Sequence, residues 1–111
     1  MIYHVKAKLR DDTAREFLSK LTDGTVAAQR PDGSEIIASM ERAVVNPAGQ
    51  VEWSELCYCS PPLAHERETV LDLHFTDIST EPAEAHTRYE GRPFMEHLRA
   101  LSERSHSLKL P

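Results

Sequence analysis

The amino-acid sequence predicts an α+β fold in which helices cover one face of an antiparallel sheet. Three features carry that expectation. Residues 2–9 alternate between apolar and polar, a Pro/Gly turn at 46–49 joins two runs with strand-like alternation, and three other stretches repeat apolar residues at helical spacing. At 111 residues the chain buries about two thirds of its surface in one core, so residues 1–111 are read as a single domain with no linker or repeat.

The first strand is expected at residues 2–9. Tyr3, Val5, Ala7 and Leu9 share one face, and Ile2, His4, Lys6 and Lys8 the other, the pattern of a half-buried strand. Asp11 or Asp12 can cap the helix that follows, whose Ala14, Phe17, Leu18 and Leu21 recur at helical spacing until Asp23 and Gly24 stop it. Residues 25–34 end in RPDGS, a turn signal that delivers the chain into a hairpin.

That hairpin is expected to run from Glu35 to Cys59. Asn46-Pro47-Ala48-Gly49 fits a type I turn with proline at its second position and glycine free for positive φ. Pairing Asn46 with Gln50 puts Val45 opposite Val51, Ala43 opposite Trp53, Glu41 opposite Glu55, Ser39 opposite Cys57 and Ile37 opposite Cys59. Ile36, Ala38, Met40, Arg42, Val44, Leu56 and Tyr58 then make the apolar surface expected against the helices.

Beyond the hairpin, Ser60 suits an N-cap and Pro61 a first helical position, opening a helix over 63–74. Leu63, Val70 and Leu71 form its narrow stripe, while the face with His65, Glu66, Glu68 and Asp72 is expected to be wet. A last strand is placed at 84–89, with Ala85, Thr87 and Tyr89 inward and His86 and Arg88 outward. Pro93 starts a closing helix striped by Phe94, Met95, Leu98 and Leu101, and residues 102–111 are expected to fray. The order β α β β α β plus a C-terminal helix is that of the ferredoxin-like sandwich, which sets the first strand between the third and fourth.

In that topology the uncovered sheet face would gather His4, Lys6, Lys8, Glu41, Trp53, Glu55, Cys57, His86 and Arg88. A bare face carrying tryptophan calls for a cover, which predicts a homodimer or a pocket for a small-molecule ligand between paired sheets. Trp53, Glu41, Lys6 and Arg88 are the expected ligand-binding or interface residues. At the level of topology this resembles the dimeric α+β barrel proteins, a likeness that implies small monooxygenase or isomerase chemistry as the alternative function. His4, Glu55 and His86 are the candidate catalytic acids and bases, because a closed face would shift their pKa values.

Other chemistries are disfavoured by composition. A formal charge of −5 argues against a nucleic-acid partner. No apolar run is long enough for a membrane span, and MIYHVKAKLR reads as a strand where a signal peptide would have an apolar core, so the chain is expected in the cytoplasm. No P-loop, G-x-G-x-x-G or G-x-S-x-G is present, so no cofactor is expected. Cys57 and Cys59, two apart on a strand, would point the same way about 7 Å from each other. With His4 or His86 they could ligate a metal, but the C-x-x-C spacing is missing and HERE at 65–68 lacks the second histidine of a zincin. They are therefore read as packing residues, with no metal expected.

Overall fold

The computed structural model describes residues 1–109, and for 105–109 the backbone alone. Strand β1 (Ile2–Leu9) leads through a 3₁₀ turn (Asp11–Thr13) into α1 (Ala14–Thr22), then α2 (Gly33–Arg42), β2 (Val44–Val45) and β3 (Val51–Leu56). Helix α3 spans 64–74, with a π-helical segment at Arg67–Leu71 between short α-helical ends. It is followed by β4 (Phe75–Ala83), β5 (Arg92–Pro93) and α4 (Phe94–Lys109). The five strands form one sheet in the order β4-β1-β3-β2-β5, every neighbouring pair antiparallel. The chain is thus an α+β fold with β1 between β3 and β4, and no helix among the described residues is long and apolar enough to cross a membrane.

Strand β1 and its facing follow the sequence pattern: Val5 and Ala7 are fully buried, whereas His4 and Lys6 look the other way and are half-buried. The turn at 46–49 also forms, with Asn46 N donating to Gln50 O at 2.8 Å and Gly49 N to Asn46 O at 2.9 Å. Its register holds at Val45↔Val51 but reaches no further than Val44↔Glu52, because residues 33–42 are helical. Ile36, Ser39 and Met40, buried at three- and four-residue spacing, define the inner face of α2. Ile36, Ala38 and Met40 also satisfy a period of two, but Ala38, Met40, Glu41 and Arg42 are helix formers, and an Arg42–Glu35 ion pair of 3.0 Å runs two turns along the helix.

The loss of a long hairpin inverts β3. Its orientation is set by β1, where Val5 pairs with Trp53, Ala7 with Val51 and Tyr3 with Glu55. Directly opposed residues share a face, so Val51, Trp53 and Glu55 lie under the helices and all three are buried. Trp53 packs against Phe75 with ring centroids 5.2 Å apart, within an aromatic cluster completed by Phe17 and Phe94. Trp53 is therefore not on an uncovered face, and the reason given above for a homodimer goes with it. Glu41 and Glu55 do not oppose each other either; Glu41 is exposed on α2.

The last strand of the expected set is also displaced. β4 occupies Phe75–Ala83 at the edge of the sheet, where Pro82 needs no donor, and a register shift between Lys6 and Lys8 accommodates Asp77 at φ 53°. Residues 84–90 are irregular and cross the sheet face opposite the helices. There Thr87 N donates to Ser54 Oγ at 3.2 Å, and the Tyr89 ring stacks on His4 at 4.1 Å. Gly91 brings this segment back to β2 at φ 153°, and a Cβ there would lie 2.2 Å from Val45 O. Gly91→Ala is therefore expected to cost about 1–3 kcal/mol in chemical denaturation. The closing helix starts at Phe94, one residue beyond the expected Pro93, which lies in β5, and its backbone is helical to Lys109; residues 110–111 lie outside the described part.

Candidate functional site

The end of β3, the start of α2 and the first turn of α3 meet at one place. After Leu56 the chain leaves the strand, with Cys57 N donating to Met1 O at 2.9 Å. Because the backbone turns there, the two cysteines do not keep strand spacing: Cys59 N donates to Cys57 Sγ at 3.0 Å. The Cys59 thiol in turn donates to Glu66 Oε1 at 3.2 Å. Glu66 itself is 1% exposed, because Leu63, Glu66 and Val70 recur three and four residues apart on the buried stripe of α3. Leu63, fully buried at φ 61°, sets the entry of that helix. The expectation of a wet face holds for Glu68 and Asp72 and fails for Glu66.

Behind the thiols lies Glu55, fully buried. Its Oε1 accepts from Trp53 Nε1 at 2.7 Å, while no donor reaches its Oε2. Burial first, then the nearby Glu66 and Glu35 charges, hold the Glu55 carboxyl well above the usual range, against the opposing pull of the Trp53 donor. Burial also works against ionised Glu66, yet hydrogen bonds from Cys57, Glu55 and Cys59 bring it below its ordinary value. Burial, followed by the Cys59 and Glu66 contacts, pushes the Cys57 thiol up to about 12. Chemically, burial favours the proton on Glu55 and the hydrogen bonds favour the charge on Glu66, with two thiols against them.

At the α2 end, Glu35 Oε2 accepts from Leu56 N at 2.8 Å and pairs with Arg42. Asp32 contacts His65 Nδ1. A cleft of about 400 Å³, lined by Pro31, Asp32, Glu35, Leu56, Cys57, Tyr58 and Cys59, opens over these groups. The donor atoms of Cys57, Cys59 and Glu66 lie within 4.8 Å of one another, as do those of Asp32, His65 and Glu66, so these five residues are the ones placed to hold a metal among the described residues.

The residues expected to act together are split by the sheet. Glu55 is on the helix side, whereas His4 and His86 come together on the opposite face. His4 Nε2 is 2.6 Å from Glu52 Oε2, and His86 Nδ1 is 2.9 Å from the Oγ of buried Ser54, the cross-strand partner of His4. Lys6 lies on that same face, and the exposed Arg88 donates to Glu41 O at 3.4 Å. Asp32, Glu35, His65 and Glu66 were not foreseen. The usable signal for Glu66 was its place on the Leu63/Val70 stripe, where an acid has to find partners.

Burial favours the neutral Glu55 carboxyl, so Glu55→Gln should change the unfolding free energy at neutral pH by no more than about 1 kcal/mol, the amide keeping an acceptor for Trp53. A loss of about 3 kcal/mol or more in denaturant titration would mean that the native group is ionised and paired.

Compared with known proteins, the chain matches no family model, no curated sequence and no solved structure.

Proposed function

We propose that this chain is a ferredoxin-like sandwich that binds a small molecule in the cleft at the end of β3. The fold part of the reading is supported by the strand order, with β1 between β3 and β4, and by helical connections from β1 to β2 and from β3 to β4. The site part is carried by one observation: a fully buried glutamate, its Oε2 reached by no donor, sits near Glu66 and Glu35 beside a cleft walled by two thiols and two further acids. Buried polar groups without partners are costly, and they persist where a ligand or reaction uses them. The opposite sheet face is a weaker candidate. Its polar groups are already engaged in the His4–Glu52 and Ser54–His86 contacts, and residues 84–90 lie across it.

Capture of disulfide-bearing fragments, read by intact mass, tests the site. Cys59 stands half-buried at the cleft wall, so fragments that fit the cleft should remain attached at reductant concentrations that strip the rest of the library. Uniform labelling governed by the reductant alone, or none, would remove the cleft as a binding site.

A further inference from the structure

We propose that the cleft holds one divalent transition-metal ion of the zinc type, ligated by Cys57 Sγ, Cys59 Sγ, a Glu66 carboxylate oxygen and the His65 imidazole. This rests on the reading of the cleft as the functional centre and names what it binds. A tetrahedral zinc ion with bonds of about 2.3 Å to sulfur and 2.0 Å to oxygen or nitrogen keeps its donors about 3.3–3.8 Å apart. The donor atoms lie within 4.8 Å of one another in two sets, Cys57–Cys59–Glu66 and Asp32–His65–Glu66; Glu66 joins the two, and turning the His65 ring toward the thiols completes one four-ligand set.

Charge points the same way. Asp32, Glu35, Glu55 and Glu66 converge with two thiols, and the one arginine among them, Arg42, is taken by Glu35 and by Ser54 O. Glu35 is paired with Arg42 and Asp32 with His65, which leaves buried Glu66 facing the two thiols with no cation of its own. A further sign is fully buried Glu55 next to Glu66: no donor reaches its Oε2, so the carboxyl is held only by Trp53 and by Glu66 itself. In the metal-bound state Glu55 is a positioning residue that holds the ligating carboxylate, and Asp32 orients the His65 ring, the arrangement that supports metal-bound histidines generally.

His65 rather than Asp32 completes the set because two thiolates and one carboxylate already exceed the charge of a divalent ion, and a neutral imidazole adds none. Sulfur donors select zinc-type ions over magnesium and calcium. Binding replaces the two S–H bonds with two S–metal bonds and releases both protons to solvent, so apparent affinity rises with pH.

The test uses the full-length chain purified without an affinity tag, dialysed against zinc in the presence of excess magnesium, and separately titrated with cobalt. One equivalent of zinc, and a cobalt spectrum with tetrahedral bands and thiolate-to-metal charge transfer, are expected. Glu66→Gln should bind at least about tenfold more weakly, and the Cys57→Ser, Cys59→Ser pair should lose the charge-transfer band. Should the cysteine pair fail to fold, the thermal midpoint of the wild type decides: zinc raises it if the site is real, and leaves it unchanged if not. Substoichiometric zinc, an octahedral cobalt spectrum, or unchanged metal content in a folded cysteine pair would overturn the proposal. Loss of metal binding with fragments still captured at Cys59 would overturn the metal while leaving the cleft; loss of both would remove the two together.

Discussion

Trp53→Ala is expected to lower the free energy of unfolding by about 3–5 kcal/mol, the range for truncating a large buried aromatic. Trp53 is fully buried against Phe75, so alanine leaves a void in the middle of the aromatic cluster. It also removes the 2.7 Å donor to Glu55 Oε1 and leaves that buried carboxyl with no donor to either oxygen. Guanidinium denaturation with an unchanged slope reads this as a fall in midpoint alone. A tryptophan on an uncovered sheet face would give a change within about 0.5 kcal/mol, and such a result would contradict the orientation of β3. Trp53→Phe, which keeps most of the volume but not the donor, should fall between.

The second large effect is acid sensitivity from His74. Its ring is fully buried, stacked 4.3 Å from Phe17, with Nδ1 2.8 Å from Thr13 Oγ1 and Nε2 without a partner. Burial first, then the positive charges of Lys20 and Arg10, lowers its pKa from 6.5 to about 4, with Glu16 opposing. The folded protein thus keeps this histidine neutral while the unfolded chain takes up a proton below 6.5. The sign follows from linkage: stability is complete above pH 6.5 and falls as pH drops toward 4, by at most about 3 kcal/mol. His97, lowered by burial and by Arg92, acts in the same sense, so the comparison with His74→Phe isolates the effect. The difference in denaturation free energy between wild type and variant should change between pH 7 and pH 4.5; parallel profiles would mean that His74 is charged in the fold or reached by water.

Much of the scaffold is legible from local pattern. β1 shows a strict alternation, α1 and α4 repeat apolar residues at helical spacing, and Asn46–Gly49 has the chemistry of one turn type, so each is determined within its own residues. Residues 35–45 are not, because EIIASMERAVV satisfies both periods. Its β-branched residues lie only at the two ends, which leaves Ala38–Arg42 free to be helical. A strand there would reverse the facing of β3 and put Trp53 and Glu55 on the other side of the sheet. The identity of Glu55 as a notable acid survives the reversal; its neighbours do not. Asp32 is distant from the thiols along the chain, and His65 and Glu66, which follow Cys59 closely, reach them only through the turn into α3 and its seating.

The most direct measurement is a ¹H–¹⁵N chemical-shift map of the unmodified protein with non-covalent fragments selected by the capture experiment. Perturbations concentrated at residues 31–35, 56–59 and 64–66, with His4, Ser54 and Tyr89 unmoved, are what a functional centre in the cleft requires. Shifts confined to the His4, Ser54 and Tyr89 face, or to the separate groove of Leu21, Ile37, Met40 and Met95 between the helices, would contradict it.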